Sequence, residues 1–444
     1  MPNWLANRIY GPNRPHDVLL YSGSGSRVPS AALEASRKGA PAVSHLNMNL
    51  HSMSLRAMKC VAFALGSSVL ALLTFGFVML ASTSSAYPYH GEAFYYAKRQ
   101  AMWLGIGLIA CAATASIDYR RYRKWAWRLF VAAVVLLIGV LIFGKRINGA
   151  MRWFVLGPFR FQPSEFAKYI LVIILASWLE KMQRTSKGQL RPRIKHWWWG
   201  VFAPLTITGG LVALILKEPD LGNAVLLTAV ALILIWVAGA PSGWLAAVAG
   251  AGGVALTAGL VAIFRFGMFH DHYQAQRLIH WWSGDDLQGG NYQQHISLLA
   301  FGSGGTWGLG LGNSRMKMDY LPEAHTDFIL PIIGEELGLI AALAVLVAFC
   351  VLFFCGILLA RRSPDLFGLL LGTGIISMIG LQAIINIAVV TNTIPNKGMP
   401  LPFISYGGSS LVTALAAIGV VLNIFWQAHA CAAGEFVASK GENL

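Results

Sequence analysis

Apolar runs of membrane length follow one another from about residue 58 to residue 428, broken by short polar stretches. Crossing the hydrocarbon of a bilayer takes roughly 20 mostly apolar residues in a helix. By that measure the pattern predicts ten spans, at about 58–81, 101–117, 125–143, 164–179, 199–216, 222–240, 243–264, 328–359, 366–391 and 406–428. The eighth run is long and contains Glu335 and Glu336, so it is expected to begin as a shorter, separate helix. Lipid offers the backbone no hydrogen-bond partners, and a helix satisfies its own. The expected fold is an all-α integral membrane protein of about ten transmembrane helices, with a long extracytoplasmic loop at about 265–325 between spans seven and eight. Loops of that length without evident structure are uncommon and often functional.

Composition supports this class. Hydrophobic residues fill 56% of the 444 positions and charged ones 12%, against about 25% charge in soluble domains. Fifteen Trp suit the bilayer interface. A net charge of +15 would raise nucleic-acid binding in a soluble protein; here the cations fall mainly in loops and set orientation instead. Arg120, Arg121, Arg123, Lys124 and Arg128 lie between spans two and three, and Lys181, Arg184, Lys187, Arg191, Arg193 and Lys195 between spans four and five. With Arg361 and Arg362 they share one side under simple alternation, which assigns that side and both termini to the cytoplasm. The five cysteines, Cys60, Cys111, Cys350, Cys355 and Cys431, show no metal-ligand spacing and read as free thiols.

Residues 1–56 are rich in Ser, Ala, Pro, Arg and Asn without apolar period, which predicts a disordered cytoplasmic tail. Met48, Met53 and Met58 are internal candidate starts. The first apolar run begins too late to be a cleavable signal peptide and reads as an uncleaved anchor. A membrane domain at 57–430 and a second cytoplasmic tail at 431–444 complete the organisation.

Charge on the opposite side points to chemistry. The loop at about 144–163 carries Lys145, Arg146, Arg152 and Arg160 against the positive-inside tendency, which fits an anionic ligand or a rim facing headgroups. Of 19 acidic residues, Glu323, Asp327, Glu335 and Glu336 fall within fourteen positions. Carboxylates at a bilayer edge are costly and are usually retained for a site, a relay or a path. Asp327 begins the eighth span, where partial desolvation would raise its basicity and suit a general base. Two other readings stay open: an N-cap aided by Thr326, and a metal triad with Glu323 and His325, which lacks a helical His pair.

Four further segments lie on that side. In Pro163-Ser164-Glu165 the Ser suits a helix N-terminus, and Glu165 and Lys168 share a helix face. That pair either seats the helix start or orients a catalytic group. Lys217-Glu218-Pro219-Asp220 reads as a tight turn in which Asp220 caps the next helix. The run from Gly302 to Gly312 has no strand–glycine–helix context for nucleotide binding and is expected to form a flexible wall around a groove. Gly407-Gly408-Ser409-Ser410 offers small residues for close helix packing or for backbone contact with a ligand.

Taken together, Arg152-Trp153, Gln162 to Lys168, Glu218 to Gly222, Leu321 to Phe328, Gly334 to Gly338 and Leu401 to Ser410 resemble the SEDS family of shape, elongation, division and sporulation proteins. The motifs are spread over nearly all of the chain from span one to span ten, and the family has ten transmembrane helices. Glu323 to Asp327 and the long tail look more like its septal, FtsW-type branch than its elongation, RodA-type branch. Pro395-Asn396-Lys397-Gly398 stands where Pro-Thr-Lys-Gly is usual and leaves Lys397 in place.

The resemblance implies an inverting peptidoglycan glycosyltransferase. It would polymerise lipid II, a disaccharide-pentapeptide on undecaprenyl diphosphate, at the outer face of the bacterial inner membrane, at the division septum. Asp327 matches the family's essential acid and would deprotonate the acceptor sugar 4-hydroxyl. Arg152, Lys168 and Lys397 would meet the charge developing on the diphosphate. Glu165 and Lys168 match a pair thought to shape the cavity, and Glu323, His325 and Ser405 join them as candidate substrate contacts. The implied partners are a class B penicillin-binding protein and other division-complex membrane proteins. Family activity is associated with a divalent cation, Mg2+ or Mn2+, for which no ligand set can be read from this chain. A lipid II flippase and a recruiting scaffold are the competing classes. Apolar interiors in spans three, six and seven and charge gathered at one edge favour surface chemistry over transport.

Overall fold

A computed structural model describes residues 55–86, 92, 94–147, 150–156, 159–184, 193–266, 273–283, 291–318 and 320–441. The tail expected at 1–56 lies outside them except for Leu55 and Arg56, which open the first helix. The helices are α1 (Leu55–Ala86), α2 (Tyr95–Ser116), α3 (Arg120–Phe143), α4 (Pro163–Gln183), α5 (Ala203–Lys217, entered through a π-helical turn at Trp198–Phe202), α6 (Leu221–Val237), α7 (Ser242–Phe266), α8 (Tyr273–Ser283), α9 (Tyr292–Gly304), α10 (Ile329–Arg361), α11 (Leu366–Val390) and α12 (Gly408–Gly441).

Among the described residues seven helices are long and apolar enough to cross a membrane: Leu55–Ser85, Arg120–Phe143, Trp198–Lys217, Ser242–Phe264, Ile329–Arg361, Leu366–Val390 and Gly408–Ala433. Helix α6 is apolar but shorter, and α2 and α4 stand at the second and fourth expected spans. Local signals set several ends. Pro163 occupies the first turn of α4, so Ser164 lies inside the helix rather than capping it. Asp220 caps α6 by accepting from the Asn223 amide at 3.1 Å, and Asp365 caps α11 by accepting from that of Gly368 at 2.8 Å.

Close helix approach is set by small residues. Helix α12 packs along α2 where Gly408 faces Trp103 and Gly107 faces Leu415. Thr114 Oγ1 donates across this seam to the Ala416 carbonyl at 2.7 Å. Helix α11 is the most enclosed element: Gly356 of α10 admits Ile376, and Gly374 admits Val172 of α4 and Leu234 of α6.

The structure departs from the expected pattern in four places. The loop at 144–163 folds as a three-stranded antiparallel sheet, β1 (Lys145–Ile147), β2 (Ala150–Leu156) and β3 (Phe159–Phe161), a small exception to an all-α fold. Residues 265–325 contain α8 and α9 instead of lacking structure. Helix α12 continues to Gly441, through most of the segment expected as a tail. The eighth span is broken deeper than Glu335 and Glu336, at Gly338, with φ 78° and ψ −178°.

That break corrects the reading of the glycine run. The loop after α9 completes the broken helix: the amides of Leu309 and Gly310 donate to the carbonyls of Glu335 and Glu336, both at 2.9 Å, and the Leu339 amide donates to the Gly305 carbonyl at 2.9 Å. Gly308, at φ +79°, sits where any Cβ would run into the Glu336 carbonyl. The run is a fixed packing element, because a buried backbone with free hydrogen-bonding groups is too costly.

Candidate functional site

The polar groups gather at the two ends of the bundle. At one end Glu180 is held by Arg123 at 2.9 Å and Arg184 at 2.7 Å, and Arg120 reaches Asp365 at 3.3 Å. The other end brings together the sheet, the α5–α6 turn, α8, the 321–328 turn and the 391–405 segment.

Asp327 stands in the middle of this second end. The preceding turn is tight: Glu323 has φ 59°, and its carbonyl accepts from the amides of Thr326 at 3.0 Å and Phe328 at 3.3 Å. Phe328, not Asp327, is the N-cap of α10, and no side chain caps it. The N-cap reading of Asp327 is thereby removed. Its carbonyl accepts from Asn386 Nδ2 at 2.8 Å, and its Oδ2 faces Gly398, where an added Cβ would come within 3.0 Å. Burial first, and then repulsion from Glu323 and Asp220, push the carboxyl up to about 7, against the pull of Arg152 and Arg277. A carboxylate tuned to that range takes and gives protons at neutral pH.

Arg152 reaches from β2 to the α5–α6 turn, with Nε donating to the Glu218 carbonyl at 2.7 Å and Nη2 to the Pro219 carbonyl at 2.6 Å. Glu218 itself is fully buried, and its carboxyl is pushed up to about 8 by burial and then by Asp220. Lys397 is half-buried, burial lowers its pKa, and no acidic side chain among the described residues pairs with it. His325 stacks on Tyr96 with ring centroids 4.2 Å apart, and its carbonyl accepts from the Tyr406 amide at 2.9 Å. Burial lowers its pKa against the opposing effect of Glu323. Ser405 is buried and closes the 401–405 turn, accepting from the Leu401 amide at 2.8 Å.

Glu165 and Lys168 lie deeper. Their side chains are 4% and 1% exposed and 2.8 Å apart. Lys168 also donates to Gln382 Oε1 at 2.9 Å, and Gln382 Nε2 donates to the Pro400 carbonyl at 2.8 Å. One turn on, Asn386 Nδ2 bonds both Asp327 and Met399 carbonyls. The pair thus touches the site through α11 and the 396–400 backbone.

Glu335 and Glu336, flagged by their place in the sequence, serve structure here. Glu335 accepts from Ser314 Oγ and from the Arg315 amide at 3.0 Å. Glu336 forms a 2.6 Å ion pair with Lys317, the two side chains 0% and 1% exposed, and accepts from Ser82 Oγ at 2.7 Å. Lys317, Gln382, Asn386 and Arg277 were not singled out from the sequence. Gln382 and Asn386 carry a legible signal, two amides four apart in an otherwise apolar helix; Lys317 and Arg277 sit in a loop that gave no period.

No three His, Cys, Asp or Glu side chains among the described residues gather closely enough to hold a metal ion. Glu323, His325 and Asp327 therefore do not form a protein-only divalent-cation site. All five cysteines are free.

A family model for FtsW, RodA and SpoVE, described as cell cycle protein, matches residues 63–430. The chain is 38% identical over 362 residues to a probable peptidoglycan glycosyltransferase FtsW of Trichlorobacter lovleyi, covering 80% of this chain and 91% of that one. It is 39% identical over 359 residues to stage V sporulation protein E of Bacillus subtilis, covering 80% and 94%. Among solved structures it is similar to that described as structural coordination of polymerization and crosslinking by a peptidoglycan synthase complex, with TM-score 0.68, 30% identity and coverage of 82% and 98%. It is also similar to the rod shape determining protein RodA of Thermus thermophilus, with TM-score 0.57, 30% identity and coverage of 81% and 95%.

Proposed function

The chain belongs to the FtsW, RodA and SpoVE family of cell cycle proteins, and from that membership together with the Asp327 site we infer that it is a peptidoglycan glycosyltransferase of the division type. It is a multi-pass membrane protein. The substrate in this reading is lipid II, and the observation that carries the mechanism is Asp327: a half-buried carboxyl poised near neutrality, with two cations of other segments, Arg152 and Arg277, acting on it.

Asp327 takes the proton from the acceptor sugar 4-hydroxyl. That oxygen bonds to the anomeric carbon of the donor as the bond to the diphosphate breaks, and the electron pair leaves on the lipid diphosphate. Inversion follows from attack opposite the leaving group. A diphosphate leaves readily, so the reaction asks for fixed positive charge rather than a strong acid. Lys397, with no acidic partner among the described residues, and Arg152 are placed for that work. Lys168 is fully enclosed and spoken for by Glu165 and Gln382, so its contribution runs through the Pro400 backbone rather than through contact with phosphate.

Ten spans, with the Asp327 end outside and both termini in the cytoplasm, complete the proposal, as do action at the septum and a class B transpeptidase partner. The seven long apolar helices, the segregation of charge to two ends and the likeness to a peptidoglycan synthase complex support it. The test is polymerisation of lipid II by purified protein, alone and with the transpeptidase. Long glycan strands from wild type and none from Asp327→Ala are expected. No strands in either condition, with transfer of labelled lipid II across vesicle membranes, would replace polymerisation with transport.

A further inference from the structure

Trp307, Leu309 and Leu311 are turned away from the protein. They are 81%, 42% and 54% exposed, in a loop whose backbone is fixed. Besides the bonds to Glu335, Glu336 and Leu339, the Gly308 amide donates to the Gly304 carbonyl at 2.8 Å and the Asn313 amide to that of Gly310 at 3.1 Å. Leu298 and Leu299, on the preceding α9, are exposed as well. No Asp, Glu, Lys or Arg occurs from residue 291 to residue 314. An exposed apolar surface of this kind marks a contact with protein or with membrane.

Two observations choose the membrane. The first is continuity. The Leu339 amide bonds the Gly305 carbonyl, and the Ile340 amide that of Thr306 at 3.5 Å, so the residues next to Trp307 sit on α10 just past its break. From there Ile340, Leu343, Val347 and Phe354 form an exposed stripe along a helix of membrane length. No charged residue occurs from Leu337 to Ala360, so the stripe faces acyl chains and the loop extends it.

The second is level. Leu339 and Arg361 are 22 positions apart, about 33 Å of helix at 1.5 Å per residue. The hydrocarbon of a bilayer is about 30 Å thick. With Arg361 at the cytoplasmic boundary, the break at Gly338 falls at the outer one. Trp307 then stands at the depth where Trp is favoured. Backbone that is not helical is tolerated there only where its polar groups are bonded within the protein, as the amides of residues 308–310 are.

We propose that the 304–312 loop is a membrane anchor: Trp307, Leu309 and Leu311 rest in the outer leaflet where acyl chains meet headgroups, and tie the broken end of α10 to that level. The inference rests on the outside placement of the Asp327 end, and it holds whichever sugar donor that end takes.

The test is the depth of a nitroxide on the full chain, purified without a partner and placed in vesicles of phosphatidylethanolamine and phosphatidylglycerol. The five native cysteines are first replaced by Ser or Ala. Trp307→Cys and Leu311→Cys carry the label in separate samples. Ile340→Cys is the lipid reference, and Glu92→Cys, between α1 and α2 at the same end, is the water reference. Depth is read from collisions with oxygen, which concentrates in lipid, relative to collisions with a water-soluble nickel chelate. The ratio at 307 and 311 should be several-fold above that at 92 and close to that at 340. A ratio at 307 and 311 matching that at 92 places the loop in water and overturns the proposal. Shielding from both reagents would mean that a second copy of the chain covers the patch, and overturns it too. If one variant fails to fold, the other carries the decision. A membrane-impermeant thiol reagent applied to intact cells checks the side. No labelling of Glu92→Cys from outside, with a lipid ratio at 307, would overturn the outer leaflet and the outside placement together. Labelling at 92 with a water ratio at 307 overturns the anchor alone.

Discussion

Asn386 donates to the main-chain carbonyl of Asp327 at 2.8 Å, and the same amide nitrogen donates to the Met399 carbonyl at 2.7 Å. One side chain on an apolar helix therefore sets the spacing between the proposed base and the segment that carries Lys397. Asn386→Leu removes both bonds with little change in volume. Each buried bond contributes about 1 kcal/mol, so folding should survive. Polymerisation should fall on the order of tenfold or more, since small displacements of a reacting group are costly. Initial rates on lipid II, alongside a melting curve in detergent, check this; an unaffected rate would show that the spacing is held elsewhere.

The pH dependence follows from Asp327, whose carboxyl is pushed up to about 7. A base must be ionised to act, so kcat/KM should climb through about pH 7 and level off above it. A pH profile with its acidic limb near 4, the range of an ordinary Asp, would contradict the raised carboxyl, and a profile with no acidic limb would remove the base assignment.

Stability should run the other way. An unfolded Asp has a pKa of about 3.9, so between that value and about 7 the folded chain holds this proton more tightly than the unfolded one. Its contribution favours folding at low pH and is lost as pH rises through that window. Asp327→Asn avoids the loss. The variant should melt a few degrees above wild type at pH 8 and show little or no gain at pH 4. Equal shifts at both pH values would contradict the raised carboxyl.

Lys168 and Glu165 make a second, separable prediction. Removing one partner of an enclosed ion pair typically costs about 3–5 kcal/mol, whereas replacing both by apolar groups is often close to neutral. Lys168→Met alone should therefore destabilise the protein strongly, and adding Glu165→Leu should recover most of the loss. Recovered stability without recovered polymerisation would mean that the Gln382–Pro400 link matters to the chemistry. Recovery of both would make the pair purely structural.

Gly308 is the position where a single methyl group should do most harm. Left-handed backbone costs a non-glycine residue about 1–3 kcal/mol, and the Cβ here also meets the Glu336 carbonyl. Gly308→Ala should lower the melting temperature and the yield of inserted protein, while Gly302→Ala, which meets nothing within 4 Å, should be tolerated.

Much of this was written in the chain, for identifiable reasons. A long apolar run marks a helix wherever lipid is the solvent, and seven of the expected spans stand as helices long and apolar enough to cross a membrane among the described residues. Asp220 was legible as a cap because capping is local. What escaped were arrangements that join distant positions. Lys317 meets Glu336 and Ser82 across 19 and 235 residues, and the glycine loop completes a helix that begins twenty residues later. Neither leaves a repeat or a spacing to read. Glu335 and Glu336 misled for the same cause: a carboxylate in an apolar run announces that it has a partner, but not whether that partner is substrate or protein. Arg277 lay in a stretch whose short amphipathic helix was hidden in a loop read as formless.

The broken helix has a consequence for how the chain is made. Glu336 enters the membrane inside an apolar segment, and its counter-charge, Lys317, has already been translated nineteen residues earlier. A lone carboxylate or ammonium is poorly tolerated in lipid, so neither can settle at depth before the other. The stretch from α9 through the first turns of α10 must be delivered to the bilayer as one unit, with the glycine loop waiting at the surface until its helix emerges. Biogenesis, and not only catalysis, then constrains these residues: a chain interrupted between Lys317 and Glu336 would leave the insertion machinery holding one unmatched charge, the Lys317 ammonium.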